Sequence, residues 1–398
     1  MTQRLFHADS FLEEFSATVL QERRVGGRPA VVLDRTAFYA TSGGQPFDTG
    51  RLGDAQVVEV REDDTGTIQH VLDRSIPLGP VTGRIDWRRR FDHMQQHSGQ
   101  HILSQAFIQV ASAPTVSFHL GDESATIDLE LGTPSVDVVR QAEELASRVV
   151  FEDRPVRVLN VRPEELASLG LRKATDRQGE IRVIEVEGFD RSPCGGTHVR
   201  RTGEVGLIAL LGFERYKGGT RVEFVCGGRA LAALRRHRDA CRQLARLYSA
   251  PLNDLPRAAD KVLQERASLL KDNLRLKEEL LEAEAQALAA SGTVVSGFVL
   301  VRRVFESRDL ESLKLLAQKI VQRGADLALL GSAQASAQTV LARGPRLASD
   351  CAAAVREACA RCGGKGGGRP ELAQAGGLAA EALQTWLDAA EGHFRKML

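Results

Sequence analysis

His97-Ser98-Gly99-Gln100-His101 and Cys194-Gly195-Gly196-Thr197-His198 are the two stretches whose reading decides this chain. Each places two metal-binding side chains four residues apart. On a helix, positions i and i+4 share a face, so His97 and His101 can reach one ion. After Cys194 the paired glycines allow a tight turn and a close approach, and Pro193 stiffens the backbone leading in. Three imidazoles and one thiolate suit tetrahedral zinc better than other common metals. The two pairs lie too far apart for a small zinc finger, so a larger fold is expected to bring them together. Either pair alone would as readily be ordinary surface or half-buried residues. Their conjunction assigns one zinc to His97, His101, Cys194 and His198.

Outward from these motifs the chain divides into four parts. Residues 1–85 alternate short β-rich runs, such as Arg28–Leu33 and Ala55–Val60, with glycine punctuation, which predicts a small β-barrel-like domain. Near Asp86 the period changes. Met94, His97, His101, Phe107 and Val110 approximate a helical stripe that carries the first ligand pair inward. Alternating residues at Val116–Leu120 and Ala125–Leu131 around Gly121-Asp122 predict a hairpin, and Ser135 is placed to cap a helix reaching about Val150. Strands near Val156–Val161 and Ile181–Val186 follow, the second leading into the Cys194 loop, and then a hairpin around Lys217. Residues 86–228 therefore read as an α+β domain holding the metal. Residues 229–292 are helical, with Leu263, Ala267, Leu270, Leu274, Lys277, Leu281, Glu284 and Leu288 stepping as a heptad seam with two polar breaks. That pattern fits an intrachain helical hairpin or a dimer coiled coil, with Pro251 and Pro256 at the bend. Residues 293–398 read as an α/β domain. The whole is an α+β multidomain chain.

The last part contains Gly363-Gly-Lys-Gly-Gly-Gly-Arg-Pro370, followed by Ala373-Gln-Ala-Gly-Gly377. Lys365 is followed by glycine rather than Ser or Thr, so this is not a Walker A loop. Clustered glycines with Lys365 and Arg369 can still offer N–H groups and charge to a phosphate; the alternative is a flexible loop. Net charge over the 398 residues is +1, which by itself announces no nucleic-acid binder. Local runs do more: Arg88-Arg89-Arg90 leads into the first motif, and Arg235, Arg236, Arg238 and Arg242 cluster beyond the second. These fit a polyanion lying beside the zinc. The six cysteines show no regular spacing, and Cys351, Cys359 and Cys362 read as incidental. No signal peptide or membrane-length apolar run is present, so a soluble, cytoplasmic protein is expected.

HSGQH with CGGTH resembles the editing domain of alanyl-tRNA synthetase and of the free-standing alanyl-tRNA editing proteins. Thr36-Ala-Phe-Tyr-Ala-Thr-Ser-Gly-Gly-Gln-Pro-Phe-Asp48 resembles that family's glycine-glycine-glutamine segment, and Phe118–Gly121 through Ile127–Leu129 its central hairpin. The Gly364–Pro370 and Ala373–Gly377 stretches resemble the DHH-associated domain that closes the long editing proteins. Because the chain opens directly at the editing portion, the resemblance implies a free-standing editor rather than a synthetase.

The resemblance implies hydrolysis of the ester in tRNA(Ala) mischarged with serine, and sometimes glycine. An alanine-sized pocket excludes glycine and serine poorly, whereas a second site can demand the hydroxyl that alanine lacks. It assigns the zinc ligands as above and makes Thr36 and Gln45 pocket candidates, with Thr36 as the serine-hydroxyl sensor. Gln100 stands where the synthetase version has threonine, as in the free-standing proteins, and is the third candidate. Arg88, Arg89, Lys217, Lys365 and Arg369 are candidate tRNA contacts, and the helical segment or the last domain could support a homodimer. Four protein ligands make a closed tetrahedron, which favours a positioning role for zinc over water activation. A non-catalytic tRNA-binding protein with structural zinc is the alternative. A peptide or small-ester hydrolase is disfavoured because the helix lacks the glutamate of HExxH.

Overall fold

A computed structural model describes residues 2–173 and 179–396. The chain forms two compact units, Met1–Leu244 and Ala245–Leu398.

In the first unit, strands Glu14–Val25, Arg28–Leu33, Ile68–Leu72, Ala55–Glu62, Gly50–Leu52 and Gly79–Ile85 close in that order into a barrel. Period-two patterning drives it. Phe15, Ala17 and Val19 point inward, their neighbours facing water, and pack with Val31, Leu33, Leu52, Val57, Val60 and Leu72. Closure leaves no unpaired strand edge. The segment Ala37–Asp48, between the second and third of these strands in sequence, packs Ala37, Phe38, Tyr39 and Ala40 against the barrel core and carries Gln45 to His97 on the following helix.

Asp86 then caps a helix, Trp87–Ala111, by accepting from Arg89 N. This helix and Val136–Phe151 pack on a four-stranded sheet ordered Ile208–Tyr216, Gly219–Cys226, Ala125–Leu129, Thr115–Leu120. Ser135 caps the second helix as its position predicts. Both hairpins expected from alternation form. A separate three-stranded sheet, Val156–Val161, Ile181–Val186 and Asp190–Pro193, carries the Cys194 loop. Its last strand is one the hydrophobic pattern did not show, so Ile181–Val186 does not lead directly into that loop. The long helix lies unusually close to its sheet at Gly99: a Cβ there would stand 2.3 Å from Cys226 Sγ. The glycine of HSGQH is thus required by packing.

Arg90 departs from the sequence reading. It belongs to the basic run but is wholly buried with Asp48. Its Nε donates to both Asp48 oxygens at 3.1 Å, Nη1 to Ser10 O at 2.8 Å, and Nη2 to Ala37 O at 2.6 Å. The guanidinium ties the long helix to the barrel segment and is unavailable to a polyanion.

The second unit is a six-stranded sheet ordered Thr293–Val295, Phe298–Phe305, Leu327–Ser332, Ala337–Arg343, Leu372–Leu378, Lys365–Arg369, with one parallel pairing, between the second and third. One face is covered by the helix Leu310–Gln322 and the end of Leu255–Ala290. The other is covered by Cys351–Cys362 and Leu383–Arg395 around the buried Trp386. Two expectations are corrected here. The glycine-rich stretch is not a loop: Lys365–Arg369 is an edge strand paired antiparallel with Leu372–Leu378. The heptad seam is also split. Leu281 and Leu288 pack on the unit's core, and Glu284 pairs with Arg308 at 2.7 Å, whereas Leu263, Leu270 and Leu274 are exposed. Among the described residues no helix is long and apolar enough to cross a membrane.

Removing one partner of a buried ion pair strands the other charge, at a cost of about 3–5 kcal/mol. Asp48→Ala should therefore lower unfolding stability by that order in urea titration. Arg84→Ala, which removes the exposed Arg84–Glu14 pair, should leave it close to the wild-type value.

Candidate metal centre

His97 and His101 project from the middle of the long helix; Cys194 and His198 come from the loop after Asp190–Pro193. Their donor atoms lie within 4.8 Å of one another. Cys194 Sγ stands 3.4 Å from His97 Nε2 and 3.3 Å from His198 Nε2. A tetrahedral zinc with bonds of about 2.0–2.3 Å has ligand–ligand edges of about 3.3–3.7 Å, so these two distances match the edges of a zinc shell. Among the described residues this is the one group of three or more such side chains with that spacing. Cys351, Cys359 and Cys362 form no second cluster.

Every ligand histidine is held from behind, which fixes which nitrogen faces inward. His97 Nδ1 donates to Gln45 Oε1 at 2.7 Å. His198 Nδ1 is 3.1 Å from Ser98 Oγ, which also accepts from Val199 N. His101 Nδ1 donates to Asp190 Oδ2 at 3.2 Å, and Asp190 in turn takes Arg172 Nε at 2.8 Å. All three Nε2 atoms are thereby left for the shared centre. The Cys194 loop is clamped by Arg182, whose Nη1 donates to Cys194 O at 2.7 Å and Gly196 O at 2.9 Å. Gly196 has no room for a side chain: a Cβ would sit 2.2 Å from His97 Cε1.

The electrostatics suit metal binding. Burial would push the Cys194 thiol up, but the charges of His97 and His198 and hydrogen bonds with His101 and His198 hold it well below its ordinary value. Burial lowers His198 to about 3, against the pull of Cys194, leaving a neutral imidazole with a free lone pair. At His101 burial also acts downward, yet the Asp190 carboxylate and Cys194 raise it overall.

His97, His101 and Cys194 open onto a cavity of about 670 Å³, walled also by His7, Tyr39, Gln100 and Phe118. Gln100 donates from Nε2 to Ser104 Oγ at 2.8 Å. Gln45 and Thr36 are buried away from this wall. Gln45 bridges His97 to the second motif, its Nε2 donating to Thr197 Oγ1 at 2.8 Å and its Oε1 accepting from Thr197 N at 3.2 Å. Thr36 lies inside the barrel, with His70 Nε2 at 2.8 Å from its hydroxyl, which also accepts from Phe38 N. Arg88 is exposed at the start of the long helix; Arg89 donates to Phe47 O at 3.0 Å and stacks on its ring. Lys217 is exposed in a hairpin turn, and Lys365 and Arg369 are exposed on the second unit's edge strand. The sequence reading missed Ser98, Arg172, Arg182 and Asp190. Ser98 lies inside a recognised motif and so was within reach. The other three are ordinary strand and loop residues until folding brings them to the ligands.

Barrel, zinc-type ligand set and C-terminal sheet together define a synthetase-type editing architecture. Residues 181–223 match the threonyl and alanyl tRNA synthetase second additional domain, and residues 298–396 match the DHHA1 domain. Along its length the chain is 31% identical to the alanyl-tRNA editing protein AlaX-L of Pyrococcus horikoshii, over 94% of each protein. It is 30% identical to the mouse alanyl-tRNA editing protein Aarsd1, over 86% of this chain and 89% of that one. Against the alanine–tRNA ligase of Methanothrix thermoacetophila, identity is 33% over the whole chain, but only 45% of the ligase is matched. The chain belongs to the alanyl-tRNA editing proteins.

Second-sphere partners of metal ligands typically contribute about 10–100-fold in metal affinity. Asp190→Asn keeps the shape and removes the charge behind His101, so chelator competition should show weaker binding of that order. Gly196→Ala, which drives a methyl into His97, should lose metal more completely. Wild-type metal retention in both variants would overturn this assignment of the loop and its supports.

Proposed function

We propose that this chain is a trans-editing aminoacyl-tRNA deacylase. It hydrolyses the ester of tRNA(Ala) mischarged with serine, accepts glycine as a second substrate, and holds one zinc on His97, His101, Cys194 and His198. The supporting observation is the four-ligand cluster opening onto a cavity of about 670 Å³, in a chain similar throughout to named alanyl-tRNA editing proteins. The zinc would supply a fixed positive charge at the cavity wall, able to polarise or orient a carbonyl. Around it Gln45, Ser98 and Asp190 hold the ligand rings, and Phe118 and Tyr39 supply apolar wall.

The serine hydroxyl needs a polar partner that alanine leaves unpaired. Gln100 is already on the wall. For Thr36 to read the hydroxyl, it would have to exchange its bond with His70. Exposed Arg88 and Lys217 and half-buried Arg89 are proposed contacts to the tRNA backbone near the site; Lys365 and Arg369 are proposed contacts from the second unit. The exposed leucines of Leu255–Ala290 are the proposed dimer surface, and the cytoplasm is the proposed location. The closed four-ligand shell favours one rival, a tRNA-binding protein in which zinc is purely structural. Incubation with mischarged tRNA separates the two, since only the deacylase releases amino acid.

Purified protein should contain about one equivalent of zinc, as a single four-ligand site requires. It should release serine from Ser-tRNA(Ala) at least about 100-fold faster than alanine from Ala-tRNA(Ala), the order a hydroxyl-demanding site supports. Gln100→Leu should erode that ratio with zinc retained. If Thr36→Val erodes it instead, the sensor lies at Thr36.

A chain ending at Leu244 should keep zinc and some hydrolysis, because every ligand precedes that point. It should bind tRNA more weakly and with a shallower dependence on salt, since fewer phosphates are neutralised. Equal affinity and slope in the shortened and full chains would remove the second unit from tRNA binding.

A further inference from the structure

His7 lies outside every motif, yet its ring forms part of the cavity wall that carries His97, His101 and Cys194. It is held there by three contacts. Arg182, which clamps the Cys194 loop, also donates from Nε to His7 O at 3.3 Å. The ring meets Phe6 edge-on at 4.7 Å, and Phe6 meets Tyr39 at 5.3 Å. On its far side the ring rests on the glycine loop: a Cβ on Gly195 would stand 4.0 Å from His7 Nε2. The next residue, Gly196, faces His97. Two glycines thus separate a non-ligand imidazole from a ligand one, with the cavity open to both.

Ester hydrolysis needs a group that can take a proton from water and give it back to the leaving oxygen. Few residues on this wall qualify. Its one carboxylate among the described residues, Glu62, is engaged by Arg4 at 2.5 Å. The arginine and lysine side chains on the wall are donors without acceptor capacity. Burial pushes the Tyr39 phenol far above its ordinary range. The ligand histidines commit one nitrogen to the metal and the other to a supporting residue. His7 does neither.

We propose that His7 is the proton-transfer residue of the deacylation. A water oxygen adds to the ester carbonyl carbon while its proton passes to the His7 ring. The ring then gives that proton to the ribose oxygen as the acyl C–O bond breaks, releasing free amino acid and a tRNA with its terminal hydroxyl restored. His7 ends as it began. The surroundings keep the ring in its accepting form: burial first, then Arg182 and Arg4, bring it down to about 4, against the opposing pull of Gly195 and Cys194. Tyr39, across Phe6, is uncharged at neutral pH and does not compete.

This proposal rests on the deacylase function proposed above, and one experiment separates their failures. Full-length, zinc-loaded wild type, His7→Gln and His7→Ala are compared in single-turnover release of serine from Ser-tRNA(Ala), with zinc content and tRNA affinity measured on the same preparations. The expected result is release about 100-fold slower or worse in both variants, the usual scale of general acid–base catalysis, with zinc and tRNA binding unchanged. Added imidazole should restore His7→Ala in a concentration-dependent way, which a merely structural residue would not allow. Wild-type rates in His7→Gln overturn the assignment of His7 alone. Slowing accompanied by zinc loss and not relieved by imidazole also overturns it, making His7 a prop of the loop. A wild type that releases nothing from Ser-, Gly- or Ala-tRNA(Ala) takes down the deacylase function and this role together.

Discussion

Arg90 and Asp48 form an ion pair with no exposed side-chain surface, and the placement of the metal ligands depends on it. The Arg90 guanidinium reaches two backbone carbonyls besides the carboxylate, so its donors are nearly all used, which makes a buried charge tolerable. Asp48 is as fully engaged, since its carboxylate also accepts from Tyr39 N at 2.7 Å. Three residues before Asp48 stands Gln45, and two helical turns beyond Arg90 stands His97. The barrel segment and the long helix are therefore joined by two rungs, one ionic and one between Gln45 and His97. Gln45 continues to Thr197, so the second motif is registered against the same pair.

Burial does opposite things at neighbouring positions of this site. At His198 it favours the neutral ring that a metal requires. At Cys194 it opposes the thiolate, and the surrounding imidazoles overcome it. At His101 a carboxylate behind the ring outweighs it. The donor set is thus prepared by different local balances, set largely by the other ligands and, at His101, by Asp190. Gln45, Ser98 and Asp190 fix the ring orientations, so they belong to the description of the centre as much as the ligands do.

Much of this was legible in the sequence, for physical reasons that differ by element. The barrel strands and both hairpins follow from period-two alternation broken by turns, and the long helix follows from a 3.6-residue stripe. The ligand set was legible because two pairs at four-residue spacing coincide, the first on a helix where i and i+4 share a face and the second on a glycine loop after Pro193. Arg90 was misread because a run of three arginines carries no mark of which one faces inward. The glycine-rich stretch was misread because Lys365–Arg369 has almost no side chains to alternate; its strand pairing comes wholly from the neighbouring Leu372–Leu378. Along the heptad seam the lower leucines pack within the second unit and the upper ones stay exposed. Asp190 could not be found from spacing, since its partner His101 lies far away along the chain, and Arg172 reaches the ligand only through Asp190.

The distances along the chain between contacting residues have a consequence for the order in which this protein can be made. His198 meets Ser98 across 100 residues and Cys194 meets His97 across 97. In a zinc finger the ligands are close enough in sequence for the ion to gather an unfolded peptide and drive its folding. Here loop closure on that scale has to be offset by packing before four donors can converge. A metal ion held by these four residues would consequently arrive late, in a finished cavity, and its occupancy would report complete folding rather than nucleate it.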